Sequence, residues 1–118
     1  VRFDIERPIY LQIEERVKGW VFAGVYGPGD RVPSVRELAK KMKVNPNTVA
    51  KAYYELEREG FLVTKRGEGT FITKDEKTIE KERKRMLSYR IKKFVEDLKE
   101  LGINERKIEK IKKMMEEI

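Results

Sequence analysis

The chain has 118 residues, 42% of them charged, and a formal net charge of +7, enough for one domain with a true core plus an appended element but not for two independent cores. It contains neither Cys nor His. That excludes disulfides, Cys/His zinc sites, Ser-His or Cys-His catalysis and imidazole pH switches, and with them most enzyme chemistry. An enzyme using carboxylates and lysines is the remaining alternative, but the acidic residues fall at helix-surface spacings beside Lys and not as an isolated inward pair, so no enzymatic activity, metal or cofactor is expected. The basic balance favours an anionic partner, nucleic acid first, although a basic chain can also simply be soluble and self-repelling. No apolar run approaches the roughly 20 residues that span a bilayer and no cleavable leader pattern is present, so the expectation is a cytoplasmic protein without a membrane partner.

Residues 1 to 7 carry little pattern and read as an arm. Pro8, then Tyr10, Ile13, Val17, Trp20 and Val21 at helical spacing, predict a helix of about four turns, with Trp20 as a core anchor and Gly24 as its end. Gly27-Pro28-Gly29-Asp30 has Pro and Gly where a type II turn wants them, and Arg31-Val32 reads as a short extended piece stopped by Pro33. Ser34-Val35-Arg36-Glu37 is a capping box. It opens a second helix with Val35, Leu38, Ala39 and Met42 inward and Arg36, Lys40 and Lys41 outward.

Lys43 and Val44 make a tight connection to Asn45, a favoured N-cap, and Pro46 takes the first position of a third helix. Val49, Ala52, Tyr53 and Leu56 form its buried stripe; Asn47, Thr48, Lys51 and Arg58 lie off it, and Gly60 ends it. Short polar groups followed one turn later by a cation suit a helix whose first turns enter a major groove. An ordinary amphipathic surface helix would carry the same face. Two helices joined this closely form the helix-turn-helix pattern.

Phe61 to Thr64 and Thr70 to Ile72 mirror each other as strands around Lys65-Arg66-Gly67-Glu68-Gly69, a hairpin, or wing, with a basic tip. Arg66 beside Gly67 could enter a minor groove, while turn chemistry alone also accounts for the glycines. The Gly-Glu-Gly run lacks the spacing of either nucleotide fingerprint and leads into a strand. Residues 31 to 74 hold ten Lys or Arg against five Glu, so most of the positive excess falls on the helix-turn-helix and wing.

From Asp75 a long charged helix is threaded by Ile79, Met86, Leu87, Ile91, Phe94, Val95, Leu98 and Leu101. Arg83 interrupts this stripe early, so the first turns read as a connector. Gly102 is a C-cap and Asn104 a new N-cap, and Ile108, Ile111, Met114, Met115 and Ile118 give the last helix its own apolar side. Two such helices rarely bury both stripes alone: they dock on the N-terminal domain or pair with a second chain. Pairing is preferred, because the wing leaves little core to dock against. The candidate dimerisation residues are Leu87, Ile91, Phe94, Leu98, Ile108, Ile111 and Met115. Helices of this length should enclose too little volume for a pocket of roughly several hundred Å3 within one chain. Lys92-Lys93 and Lys112-Lys113 read as solvated faces, with DNA contact the alternative.

Pro8-Ile9-Tyr10 with Gln12-Ile13, Pro28-Gly29-Asp30, Val32-Pro33-Ser34-Val35-Arg36-Glu37-Leu38-Ala39, Val44-Asn45-Pro46-Asn47-Thr48-Val49, Ala52-Tyr53, Leu56-Glu57, Glu59-Gly60 and Gly67-Glu68-Gly69-Thr70-Phe71 together resemble the winged helix of the GntR family of bacterial transcription regulators. The resemblance covers about residues 8 to 73. It implies DNA contacts from Arg36, the arginine of the Pro-Ser-x-Arg motif, from Asn45, Asn47 and Thr48 at the start of the recognition helix, and from Arg66 and Gly67 at the wing tip; Ser34 of the same motif is a further candidate contact. Lys51 joins this set from helical geometry alone. The short tail is similar to the YtrA-like subgroup, which implies a dimeric repressor with a reduced helical module.

The expected fold is α+β, mainly α: a winged helix-turn-helix DNA-binding domain over residues 1–74, then a two-helix dimerisation hairpin over 75–118. The expected function is sequence-specific binding of a double-stranded DNA operator by a homodimeric repressor, with no small-molecule effector assigned. The alternative is an architectural nucleic-acid-binding module without regulatory specificity.

Overall fold

The computed structural model describes residues 2–117; Ile118, expected on the last apolar stripe, lies outside them. Helices α1 (Ile9–Phe22), α2 (Val35–Met42) and α3 (Pro46–Arg58) precede the hairpin of β1 (Leu62–Lys65) and β2 (Gly69–Ile72), and α4 (Glu76–Glu100) and α5 (Glu105–Glu116) follow. The chain divides into two compact units at Glu80 and Lys81, so the first turn of α4 belongs with the winged helix.

In the first unit α3 packs against α1, α2 and β1. Its core holds Ile13, Val17, Leu38, Val49, Leu56, Phe61 and Ile72, all essentially without solvent exposure, and Ile79 of α4 joins them. Trp20 packs against this core from its edge and is not its central anchor. It is only partly buried, edge-on to Tyr26 at 5.9 Å between ring centroids, and the largest fully buried side chain is Phe61. A Trp keeps its indole N–H near water, whereas Phe has no polar group to satisfy and can be enclosed entirely.

The helix ends follow their capping residues. Ser34 Oγ accepts from the Glu37 amide at 3.1 Å, and Glu37 Oε1 accepts from the Ser34 amide at 3.4 Å, which completes the capping box. The α2 to α3 turn is made by Lys43 in the left-handed region at φ 58°, the one non-glycine residue with positive φ among those described. Gln12 pins the N-terminal arm by donating to the carbonyls of Asp4 at 2.7 Å and Arg7 at 3.0 Å.

The wing is antiparallel, with Leu62 opposite Ile72, Val63 opposite Phe71, Thr64 opposite Thr70 and Lys65 opposite Gly69. The extended piece before α2 adds a partial third strand: Arg31 bridges Phe71, and the Val32 amide donates to the Thr70 carbonyl at 2.9 Å.

In the second unit Asn104 caps α5 by accepting from the Lys107 amide at 2.9 Å. Ile91 and Ile108 are already buried in the single chain, and Leu98, Ile111 and Met115 are half-buried. Leu87 and Phe94 remain 50% and 41% exposed. The two helices flank a half-open groove of about 490 Å3 lined by Leu87, Ser88, Ile91, Lys92, Val95, Lys112 and Glu116. The space between the helices is larger than expected, but it is an open groove and not an enclosed pocket.

Candidate nucleic-acid interface

The first turn of α3 presents a short row of polar groups. Asn45 Oδ1 accepts from the Asn47 amide at 2.8 Å, which commits the oxygen to the cap and leaves the Asn45 side-chain NH2 able to donate outward. Asn47 is exposed and Thr48 half-buried. Lys51 is also exposed, and its Nζ lies 4.1 Å from the centroid of the Tyr10 ring on α1. That contact holds a flexible cation against the surface without neutralising it.

Arg36 emerges from the first turn of α2, exposed. Ser34 is half-buried, with its oxygen engaged in the capping box. Among the described residues, Arg36, Lys51 and Arg66 have no carboxylate within ion-pair distance. Arg58, by contrast, is paired with Glu55 at 2.7 Å, which lifts its pKa further and takes it out of the group of uncompensated cations.

A hydrogen bond ties α3 to the segment that leads into α2. Tyr53, on the buried stripe of α3, donates its phenol to the Pro33 carbonyl at 2.6 Å, immediately before the Ser34 cap. Burial pushes the Tyr53 phenol pKa well up, with Tyr26 and Glu37 adding to the effect, so the donor keeps its proton. The wing is fastened in turn to α3 by a hydrogen bond from Thr64 Oγ1 to Glu57. At its tip the Glu68 amide donates to the Lys65 carbonyl at 2.9 Å, and Gly67, at φ 79°, takes the position that an L side chain would strain. Arg66 is exposed beside it.

Arg36, Asn45, Asn47, Thr48 and Lys51 therefore fall on two consecutive helices and the short turn that joins them, with Ser34 as the N-cap of the first. Arg66 and Gly67 stand apart on the hairpin. Tyr10 and Tyr53 were legible only as apolar-stripe residues, because their partners, Lys51 and Pro33, lie far away in sequence. No group of three or more acidic side chains able to hold a metal occurs among the described residues, and none of their helices is long and apolar enough to cross a membrane.

The sequence profile described as "Bacterial regulatory proteins, gntR family" matches residues 9–72. The chain is 44% identical over 112 residues to "HTH-type transcriptional repressor YtrA" of Bacillus subtilis, covering 94% of this chain and 84% of that protein. It is similar in structure to a "GntR family transcriptional regulator from Listeria monocytogenes", with a TM-score of 0.83 and 38% identity over 95% of this chain and 98% of that one. It also resembles "AraR(DBD) in complex with operator ORX1", with a TM-score of 0.55 and 31% identity over 57% of this chain and 81% of that one.

Proposed function

The chain belongs to the GntR family of DNA-binding bacterial transcription regulators, in its short YtrA-like branch, and on that premise we propose that it is a cytoplasmic repressor that binds a two-fold operator as a homodimer. The observation that carries this reading is the row of polar donors on α2 and α3, exposed except for the half-buried Thr48, whose cations Arg36 and Lys51 have no carboxylate partner. Asn45, Asn47, Thr48 and Lys51 offer base-edge and phosphate contacts at the start of a recognition helix, with Arg36 beside them. Ser34 caps the helix that carries Arg36. Arg66 and Gly67 form the wing tip, where a guanidinium and a bare backbone suit a minor groove. Repression is supported by the name of the B. subtilis relative, and binding to an operator by the AraR complex.

Dimerisation is assigned to residues 75–118, with Leu87 and Phe94 as the exposed apolar contacts. Leu98, Ile111 and Met115 are the half-buried flank, and Ile91 and Ile108 hold α4 and α5 in shape. Linking two DNA-binding heads raises affinity through effective concentration without any new contact to DNA.

The test is equilibrium binding of the full chain to duplexes enriched from a random-sequence pool. Replacing Arg36 or Thr48 by Ala should cost about 1 to 3 kcal/mol in specific binding. Unchanged affinity in both variants would overturn the docking, and equal affinity for enriched and scrambled duplexes would leave an architectural module in place of a repressor.

A further inference from the structure

Two cations outside the interface described above converge on the outer face of the wing. Alternation along β1 and β2 turns Leu62 and Ile72 to the core, 2% and 1% exposed, and places Val63, Lys65, Gly69 and Phe71 on the opposite face. Arg31 bridges Phe71 from the other edge of β2, so β2 is the middle of three extended segments. From β1, Lys65 folds its ammonium over the Phe71 ring, 4.9 Å from the centroid. From the opposite side, Arg31 lies across the α-carbon of Gly69: a Cβ there would sit 2.7 Å from Arg31 Nε. Gly69 is thus required for Arg31 to reach over the middle strand.

Both cations are exposed, and among the described residues neither has a carboxylate within ion-pair distance. Like charges brought onto one face repel until an anion lies over them. Lys65 and Gly69 immediately flank the tip residues Arg66 to Glu68, so this face continues the wing tip.

We propose that Arg31 and Lys65 form a phosphate-gripping pair on the outer face of the wing, which holds the DNA backbone beside the groove that the tip enters. The proposal rests on the reading of the chain as a DNA-binding regulator. Neither residue reads a base. Their contribution is sequence-independent affinity and the salt dependence that accompanies it, because each neutralised phosphate releases condensed counterions.

The experiment measures binding of the full-length wild type, R31Q, K65Q and the double variant to an enriched duplex and a scrambled one across a salt series. Each single substitution should lower the slope of log affinity against log salt by about 0.9, and the double by about 1.8, on both duplexes. Arg31→Lys should restore the slope, while thermal midpoints stay at the wild-type value. A double variant with the wild-type slope on both duplexes overturns the pair, even if the wild type discriminates between the two. Loss of slope in a protein that does not discriminate upholds the pair and removes sequence-specific regulation instead. A wild type that binds neither duplex overturns both.

Discussion

Tyr53 of the recognition helix donates its phenol to the Pro33 carbonyl at 2.6 Å, so the residue that packs α3 into the core also fixes where α2 begins. This bond ties α3 to the segment leading into α2, in addition to the turn at Lys43. Tyr53→Phe keeps the ring and leaves a partly buried carbonyl without its donor. The expected loss is about 1 to 2 kcal/mol in denaturant unfolding, together with weaker specific DNA binding than the stability loss alone would cause. Unchanged stability would mean that water replaces the phenol.

Glu14 introduces a pH dependence where no His exists. It is buried between α1 and α3 at 6% exposure, and its Oε2 has no hydrogen-bond partner. Burial first, then repulsion from Glu59, raises its pKa from 4.5 to about 7, with Glu55 and Glu15 adding and Lys18 opposing. The folded value lies above the unfolded one, so the fold favours the proton. Its contribution is full below about pH 4.5 and is lost as pH rises through about 7. Glu14→Gln should therefore be more stable than wild type at pH 8, by on the order of 3 kcal/mol, with the difference vanishing towards pH 4.5. Chemical denaturation of both proteins across this range checks it, and a pH-independent difference would contradict it.

The wing tip carries a sequence preference of its own. Arg66, beside a glycine that lets the backbone approach closely, is expected to favour A·T-rich flanks, where the minor groove is narrow and its potential most negative. Arg66→Ala should weaken binding to A·T-flanked sites more than to G·C-flanked ones in a competition assay. Equal losses would reduce Arg66 to a phosphate contact.

The second unit leaves Leu87, at the edge of a groove that one chain does not fill, and Phe94 exposed. Burying each side chain is worth roughly 1.5 to 3 kcal/mol, and a symmetric partner supplies the cover. Leu87→Glu and Phe94→Glu should convert the full chain from dimer to monomer in sedimentation, with the helical content retained. A variant that stays dimeric would place the interface in the winged helix. Truncation after Glu80 should also give a folded monomer, whereas truncation after Lys74 removes Ile79 from the core and costs about 1.5 to 3 kcal/mol of stability.

The parts legible in the sequence are those decided within a few residues. The Ser34–Glu37 box, Asn45-Pro46 and the Pro28-Gly29 turn each satisfy their own backbone, and the apolar spacing of α3 names its buried stripe without knowledge of its neighbours. What was not legible depends on helices crossing. Glu14 reads as a polar-face residue until α3 covers it, Lys51 reads as free until Tyr10 comes beneath it, and Arg31 gains its position only when β2 arrives. Phe61 displaced Trp20 as the core anchor for the same reason: the depth of a side chain is set by the elements that close over it.

Footprinting of the full chain on DNA recovered from a random-sequence pool tests whether a homodimer binds a two-fold operator. Enrichment of a two-fold symmetric sequence, protection of both half-sites, and loss of that protection in the Phe94→Glu monomer at concentrations that saturate the wild type are expected. Enrichment of no sequence, or protection of a single unsymmetrical site that the monomer occupies equally well, would contradict that mode of binding.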